Sequence, residues 1–203
     1  MATTLEAPTT TTVPAPTGHK VGWIFLSLTR IGIGFIFFWA FLDKLFGLGR
    51  STCSVKDEAG WITGVNVMCG PNPETGAGGA WLKGGHVTEG YLVYGGNPHS
   101  PFNDFFVSLG AQRWTDWIFM IGLLAIGAAL MLGIGTKVAM FAGPAMLLFM
   151  YMTQMWPQTN PILDDHIIMS LAVIGVVLVE LGHQSIGLGK PWRKLVGEKS
   201  WLV

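Results

Sequence analysis

Three titratable side chains stand in a row at Asp164, Asp165 and His166, and Glu180 follows at the far end of an apolar run. Carboxylates beside an imidazole can pass protons around neutrality, where histidine ordinarily changes charge. Two basic residues, Arg30 and Lys44, lie in an earlier apolar run. Arg30 and Lys44 are 14 residues apart, and so are His166 and Glu180. That interval is close to four helical turns, so each pair shares one face of a helix over roughly 21 Å. If the two helices run antiparallel and face each other, Lys44 stands level with Asp165 and His166, and Arg30 with Glu180. The expectation is an outer cluster able to handle protons and an inner ion pair. Both pairs could equally serve to hold two helices in register, and Arg30 could snorkel to the near surface.

The element that must position the acids opens at residues 160–166, NPILDDH. Asn160 suits an N-cap and Pro161 the first helical position. Asp164 and Asp165 then fall near a helix N-terminus, where the macrodipole favours negative charge. From 167 to 179 the only polar side chain is Ser170.

Similar apolar runs recur at 21–46, 117–134, 138–156 and 166–181. Each is near the roughly 20 residues needed to cross a bilayer, the last two being short. The chain has 203 residues, 50% of them hydrophobic and only 12% charged. Soluble domains carry roughly 25% charge, so lipid is the expected solvent. The net charge is zero, so nothing points to nucleic acid. The predicted fold is all-α, a polytopic four-helix bundle occupying 21–189. Small residues at Ala125, Ala129 and Gly133 and at Ala139 and Gly143 suit close helix approach. Pro144 should kink the third span.

Residues 1–20 are Thr-, Pro- and Ala-rich and are expected to form a disordered cytoplasmic tail, with the first helix as an uncleaved anchor. Residues 47–112 are too long for a simple connector. They carry Trp61, Trp81, Tyr91 and Tyr94, rings suited to a membrane interface, and a short interfacial or re-entrant helix fits 101–109. The tail 190–203 holds Lys190, Arg193, Lys194 and Lys199 among Trp192, Leu195 and Trp201. Basic residues mark the cytoplasmic side, so this tail, Lys137 and Lys20 belong inside and the loops 47–112 and 154–165 outside. Cys53 and Cys69 match no zinc spacing. In an oxidising compartment they form a disulfide, worth about 3 kcal/mol for a loop of this size; otherwise they are two free thiols.

Five pieces in order resemble the DoxX/DoxD family of small four-helix membrane proteins. They are LTRIGIGFIFFWAFLDKL with Arg30, Gly34 and Lys44, TEGYL at 88–92, SPFNDFF at 100–106, GIGTK at 133–137 and NPILDDH at 160–166. The stretch 50–80 lies outside the resemblance. What the resemblance implies is a membrane subunit of a redox complex in a bacterial or archaeal plasma membrane. DoxD-type members look like part of a thiosulfate:quinone oxidoreductase, which would set Lys44, Asp165 and His166 near a quinone head. Alternatives are a non-catalytic accessory subunit of a respiratory-chain assembly with cytochrome or oxidase partners, and a small-solute transporter. The transporter ranks last because no internal repeat is evident.

Other cofactors fit poorly. A bis-histidine haem needs imidazoles on facing helices, and only the fourth span has one, at its edge. A metal on Asp165 and His166 would need ligands such as His86 or His99 from the loop, since neighbours on a helix diverge by about 100°. Met146, Met150, Met152 and Met155 read as core filler. There is no phosphate loop, nucleophile elbow or CxxC motif.

Overall fold

The apolar runs fold as helices, and their ends are set by glycine and by side-chain caps. The computed structural model describes residues 18–74, 76–157, 160–181, 183–197 and 200–202. Most of the predicted N-terminal tail (1–17) and Lys199 lie outside the described residues. Helix α1, Gly18–Phe46, has 29 residues and is about 44 Å long. It stops at Gly47, whose φ of +65° only glycine adopts at low cost. The Gly47 and Leu48 amides turn back onto the Asp43 carbonyl. Helix α4, Trp114–Leu132, ends the same way at Gly133 (φ +74°), and α5, Thr136–Thr153, starts after Gly135 (φ +59°). Pro144 sits inside α5, which continues through it.

Among the described residues three helices are long and apolar enough to cross a membrane, Lys20–Phe46, Trp114–Leu132 and Thr136–Thr153, where four spans were expected. Helix α6, Asp165–Glu180, has 16 residues. At about 24 Å it falls short of a hydrocarbon core of about 30 Å. The distribution of side chains is that of a protein solvated by lipid. Phe25, Ile36, Ile118, Ile121, Phe141 and Leu171 are exposed, while Ser27, Arg30, Asp116 and Glu180 are buried. Soluble proteins bury charge rarely.

Helix α1 packs on α4 and on α6, and α5 packs on α4 and on α6. Ile33, Phe37, Leu123, Ile126, Leu130, Leu147, Val173 and Val177 fill the space between them. The seam of α1 with α4 is made by Gly34 and Gly127. A Cβ on Gly34 would lie 2.8 Å from the Met131 amide nitrogen, and one on Gly127 would lie 2.7 Å from the Phe38 nitrogen. The predicted ladder does not form this seam, because Ala125 is exposed. At about 100° per residue, Gly127 rather than Ala125 shares a face with Leu123 and Leu130. Ala139 and Gly143 are buried as expected, with a Gly143 Cβ at 3.5 Å from Ile126 and 3.8 Å from Val173.

The long loop is not all helix. Strands β1, Ser54–Lys56, and β2, Ile62–Val65, pair antiparallel. Their Val, Ile and Thr side chains favour extended backbone, and Gly60 (φ +86°) turns the chain between them. The disulfide Cys53–Cys69 brackets the hairpin. A single 3₁₀ turn, Trp81–Lys83, leads to the short helices α2, Val87–Leu92, and α3, Asn103–Gly110, the latter close to the predicted 101–109. The chain ends with α7, Gly189–Val196. Its tail folds back on α5, with Trp201 stacked on Phe141 and Lys137 Nζ donating to the Ser200 carbonyl.

The start of α6 differs from expectation. Asn160 caps nothing helical; its Oδ1 accepts from the Ile162 and Leu163 amides in a local turn. Pro161 lies in that turn, its carbonyl accepting the Tyr151 hydroxyl proton. The N-cap is Asp164, in extended backbone with its carboxylate accepting from Ile167 N. Aspartate competes with asparagine as a cap, and four further residues before the helix let Asn160 close a turn instead.

Candidate functional site

Arg30 and Glu180 form an ion pair. Arg30 Nε meets Glu180 Oε2, and both side chains are almost fully buried. Arg30 Nη1 donates to the Leu130 carbonyl and Nη2 to the Ile186 carbonyl, while Glu180 Oε1 accepts from Ser27 Oγ. A guanidinium has donors in a planar fork, and here the fork spans α1, α4, α6 and the segment before α7. Gln184 completes the seam, donating to the Gly133 carbonyl and accepting from Gly189 N. Gly34 stands one turn along α1 from Arg30, at the close approach to α4.

The outer residues divide into two groups. Asp164, Asp165 and His166 line a cavity of about 500 Å³ together with Asn97, Gln154 and Trp156. His166 Nδ1 lies 2.6 Å from Asp164 Oδ2, partly exposed, while Asp165 faces solvent. Lys44 is not among the residues lining that cavity. Its ammonium donates to Ser51 Oγ at 3.0 Å and sits 5.9 Å from the Phe119 ring centre. The adjacent Asp43 carboxylate accepts from the amides of Arg50, Ser51 and Thr52 and from Ser51 Oγ. The division follows from the turn after α1, whose residues 50–52 bind both Asp43 and Lys44.

A third centre joins residues about 30 positions apart, which no local spacing reveals. His86 Nδ1 lies 2.9 Å from Asp116 Oδ2, and both residues are buried, at 5% and 1% exposure. Asp116 Oδ1 accepts from Thr88 N at 2.8 Å and from Thr88 Oγ1 at 2.7 Å. Thr88 Oγ1 lies 2.7 Å from Thr115 Oγ1, which donates to the Gln112 carbonyl. The first turn of α4 thus holds the start of α2 by a carboxylate that supplies the cap α2 lacks. The one sequence signal was Asp116 itself, a carboxylate in the first turn of an otherwise apolar helix, since charge within a span is costly and usually employed.

Thr88 and Thr115 also line a cavity of about 420 Å³ walled by α2, α3, α4 and α5. The rest of the wall is mainly apolar, including Trp114, Phe119, Gly122 and Phe149. Its size lies within the roughly 300–1,000 Å³ of small-molecule sites, and a mostly apolar wall with a few placed polar groups is their usual make-up. Tyr91 lines this cavity. Burial pushes its phenol up, the Asp164 charge adds to that, and a hydrogen bond with Gln154 opposes it. The cavity can receive an apolar molecule. Among the described residues no group of three or more His, Cys, Asp or Glu could hold a metal ion.

No family model, no curated protein and no solved structure matches the chain.

Proposed function

We propose that the chain is the membrane subunit of a redox assembly and binds a lipid-soluble carrier of the quinone class. The observation that carries this reading is the apolar cavity among α2–α5, with Thr88 and Thr115 in its wall and a buried His86–Asp116 pair bonded to Thr88. A carrier that lives in the bilayer meets such a wall without crossing water. In this reading α6 is a fourth span, extended by the residues flanking it, and the fold is a DoxX/DoxD-like four-helix bundle. Both termini lie in the cytoplasm of a bacterial or archaeal cell, and the disulfide-bearing loop lies outside its plasma membrane. The five motifs add a sulfur compound as the electron source. The quinone head is assigned to the α2–α5 cavity instead of the neighbourhood of Lys44, Asp165 and His166.

The test is a titration of the full chain, in lipid nanodiscs, with a short-chain benzoquinone. Trp114 lines the cavity, so binding quenches its fluorescence and Trp114→Phe removes most of the signal. Gly122→Leu fills the cavity, and the first atom it meets is the flexible end of Met146 at 2.5 Å. Affinity should then fall about tenfold or more, which is 1.4 kcal/mol or more. Unchanged affinity in Gly122→Leu would refute the assignment.

A second reading, the accessory subunit, is favoured by the braced hairpin. Trp61 is 76% exposed there, beside exposed Val55, Ile62 and Val65, and apolar side chains outside a membrane mark docking surfaces. Replacing 55–64 by a short Gly–Ser turn should release partner subunits under this reading and leave quinone affinity unchanged.

A further inference from the structure

Among the described residues, His86 Nε2 is the one buried side-chain polar atom without a hydrogen-bond partner. Burying such a nitrogen unpaired is costly, and the Nδ1 bond to Asp116 does not require it. Asparagine offers the same donor without the second nitrogen. The opposite end of the centre is just as open. Three oxygen contacts run in series, from Asp116 Oδ1 to Thr88 Oγ1, to Thr115 Oγ1 and to the Gln112 carbonyl. Two hydroxyls bring two protons to three contacts, so the series is one proton short until a proton reaches Asp116 Oδ1. Thr88 and Thr115 line the cavity, and His86 lies in the loop just before α2. An unpaired nitrogen at one end and a cavity-lining threonine at the other mark the two ends that a proton path needs.

We propose that Thr115, Thr88, Asp116 and His86 form a proton relay joining a carrier oxygen in the α2–α5 cavity to the loop side of the chain. The inference rests on the carrier-binding reading and assigns the chemistry of that site. When the bound carrier accepts an electron from a one-electron donor of the assembly, the oxygen that faces Thr115 takes one proton, once in each full reduction. The Thr115 O–H bond breaks as the new O–H bond forms on the carrier. Thr115 takes the proton of Thr88, and Thr88 takes one through Asp116 Oδ1, which receives it from His86 Nδ1 at 3.1 Å. His86 takes up the replacement at Nε2. One proton enters at His86 for each one delivered, and no charge stays in the wall.

His86→Asn keeps a donor at the Nδ1 position and deletes Nε2, and Thr88→Val breaks the series while Thr88→Ser preserves it. In nanodiscs loaded with a short-chain benzoquinone and reduced at an electrode, proton uptake is read by a pH dye and binding by Trp114 quenching. His86→Asn and Thr88→Val should slow uptake on the order of 100-fold, as the loss of a placed proton donor does, with Thr88→Ser close to the parent. Quinone affinity should stay within about twofold for His86→Asn. Before any reduction, adding the oxidised quinone should shift the ring-nitrogen NMR signals of His86 in the parent and not in Thr88→Val. Quinone that binds while uptake is equally fast in His86→Asn and Thr88→Val overturns the relay alone. Quenching without any shift at His86 in the parent does the same. A parent chain that binds no quinone overturns the carrier-binding reading, and the relay with it.

Discussion

Two buried charge centres lie at opposite ends of the helices and differ in how completely they are satisfied. At the inner end, Arg30 and Glu180 meet each other, two carbonyls and a hydroxyl. At the other end, Asp116 meets His86 and Thr88, and Thr88 meets Thr115, but His86 Nε2 is left unpaired. A saturated network in a low-dielectric interior has one good arrangement and resists change. An unsaturated one keeps a group in reserve for a ligand or a proton. The inner centre is therefore a lock between α1, α4 and α6, and the outer centre is where chemistry is affordable. The Asp164–His166 pair is intermediate, since it caps α6 and is partly open to solvent.

The comparison breaks first at its strongest claim. Arg30→Ala or Glu180→Ala strands a buried charge and should cost about 3–5 kcal/mol each, whereas the pair replaced together by Met and Leu should recover much of it. Detergent thermal melts in a double-mutant cycle check this, and additive losses would mean that the lock is not a pair. Asp164→Ala removes the one side-chain cap of α6 and should cost about 1 kcal/mol. The same variant should leave quinone affinity within about twofold if the carrier sits between α2 and α5.

Smaller effects sharpen the contrast. His86→Asn loses a nitrogen that bonds to nothing, so it should cost less than about 1 kcal/mol. A loss matching that of Arg30→Ala would erase the distinction between lock and relay. Tyr91 carries the smallest effect. Its phenol is held up by burial and by Asp164, so the folded state keeps a proton that the unfolded chain releases above pH about 10. Stability from this group is whole below that pH and declines as pH rises through the raised phenol value. Denaturation at alkaline pH should show a shallower decline in Tyr91→Phe.

Much of the lock was legible beforehand and most of the relay was not. Arg30 and Glu180 announce themselves because charge inside an apolar run is rare, and the equal spacing to Lys44 and His166 sets the register of two helices. The same spacing misled for Lys44. Its ammonium bonds to Ser51 in the turn after α1, and it does not line the cavity with Asp165 and His166. Asn160 failed similarly, since two good caps competed and the one nearer the apolar run won. The disulfide followed from the absence of a zinc spacing and from where basic residues lie, and it is present.

The sequence by itself offered four apolar runs, three of which fold as helices long and apolar enough to cross a membrane, together with the Arg30–Glu180 pairing and the cysteines that bracket the loop. These rest on local periodicity, backbone sterics and the cost of burying charge, all of which act within one helix or between two. Only the tertiary structure decided that Gly34 meets Gly127, that β1 and β2 form within the loop, and that Asp116 reaches back to His86 and Thr88. Those depend on how four helices and a folded loop rotate against one another. The cavity beside Thr88 and Thr115 is what remains when α2, α3, α4 and α5 pack as closely as their side chains allow. A space of that kind has no residue of its own, so no sequence position could announce it.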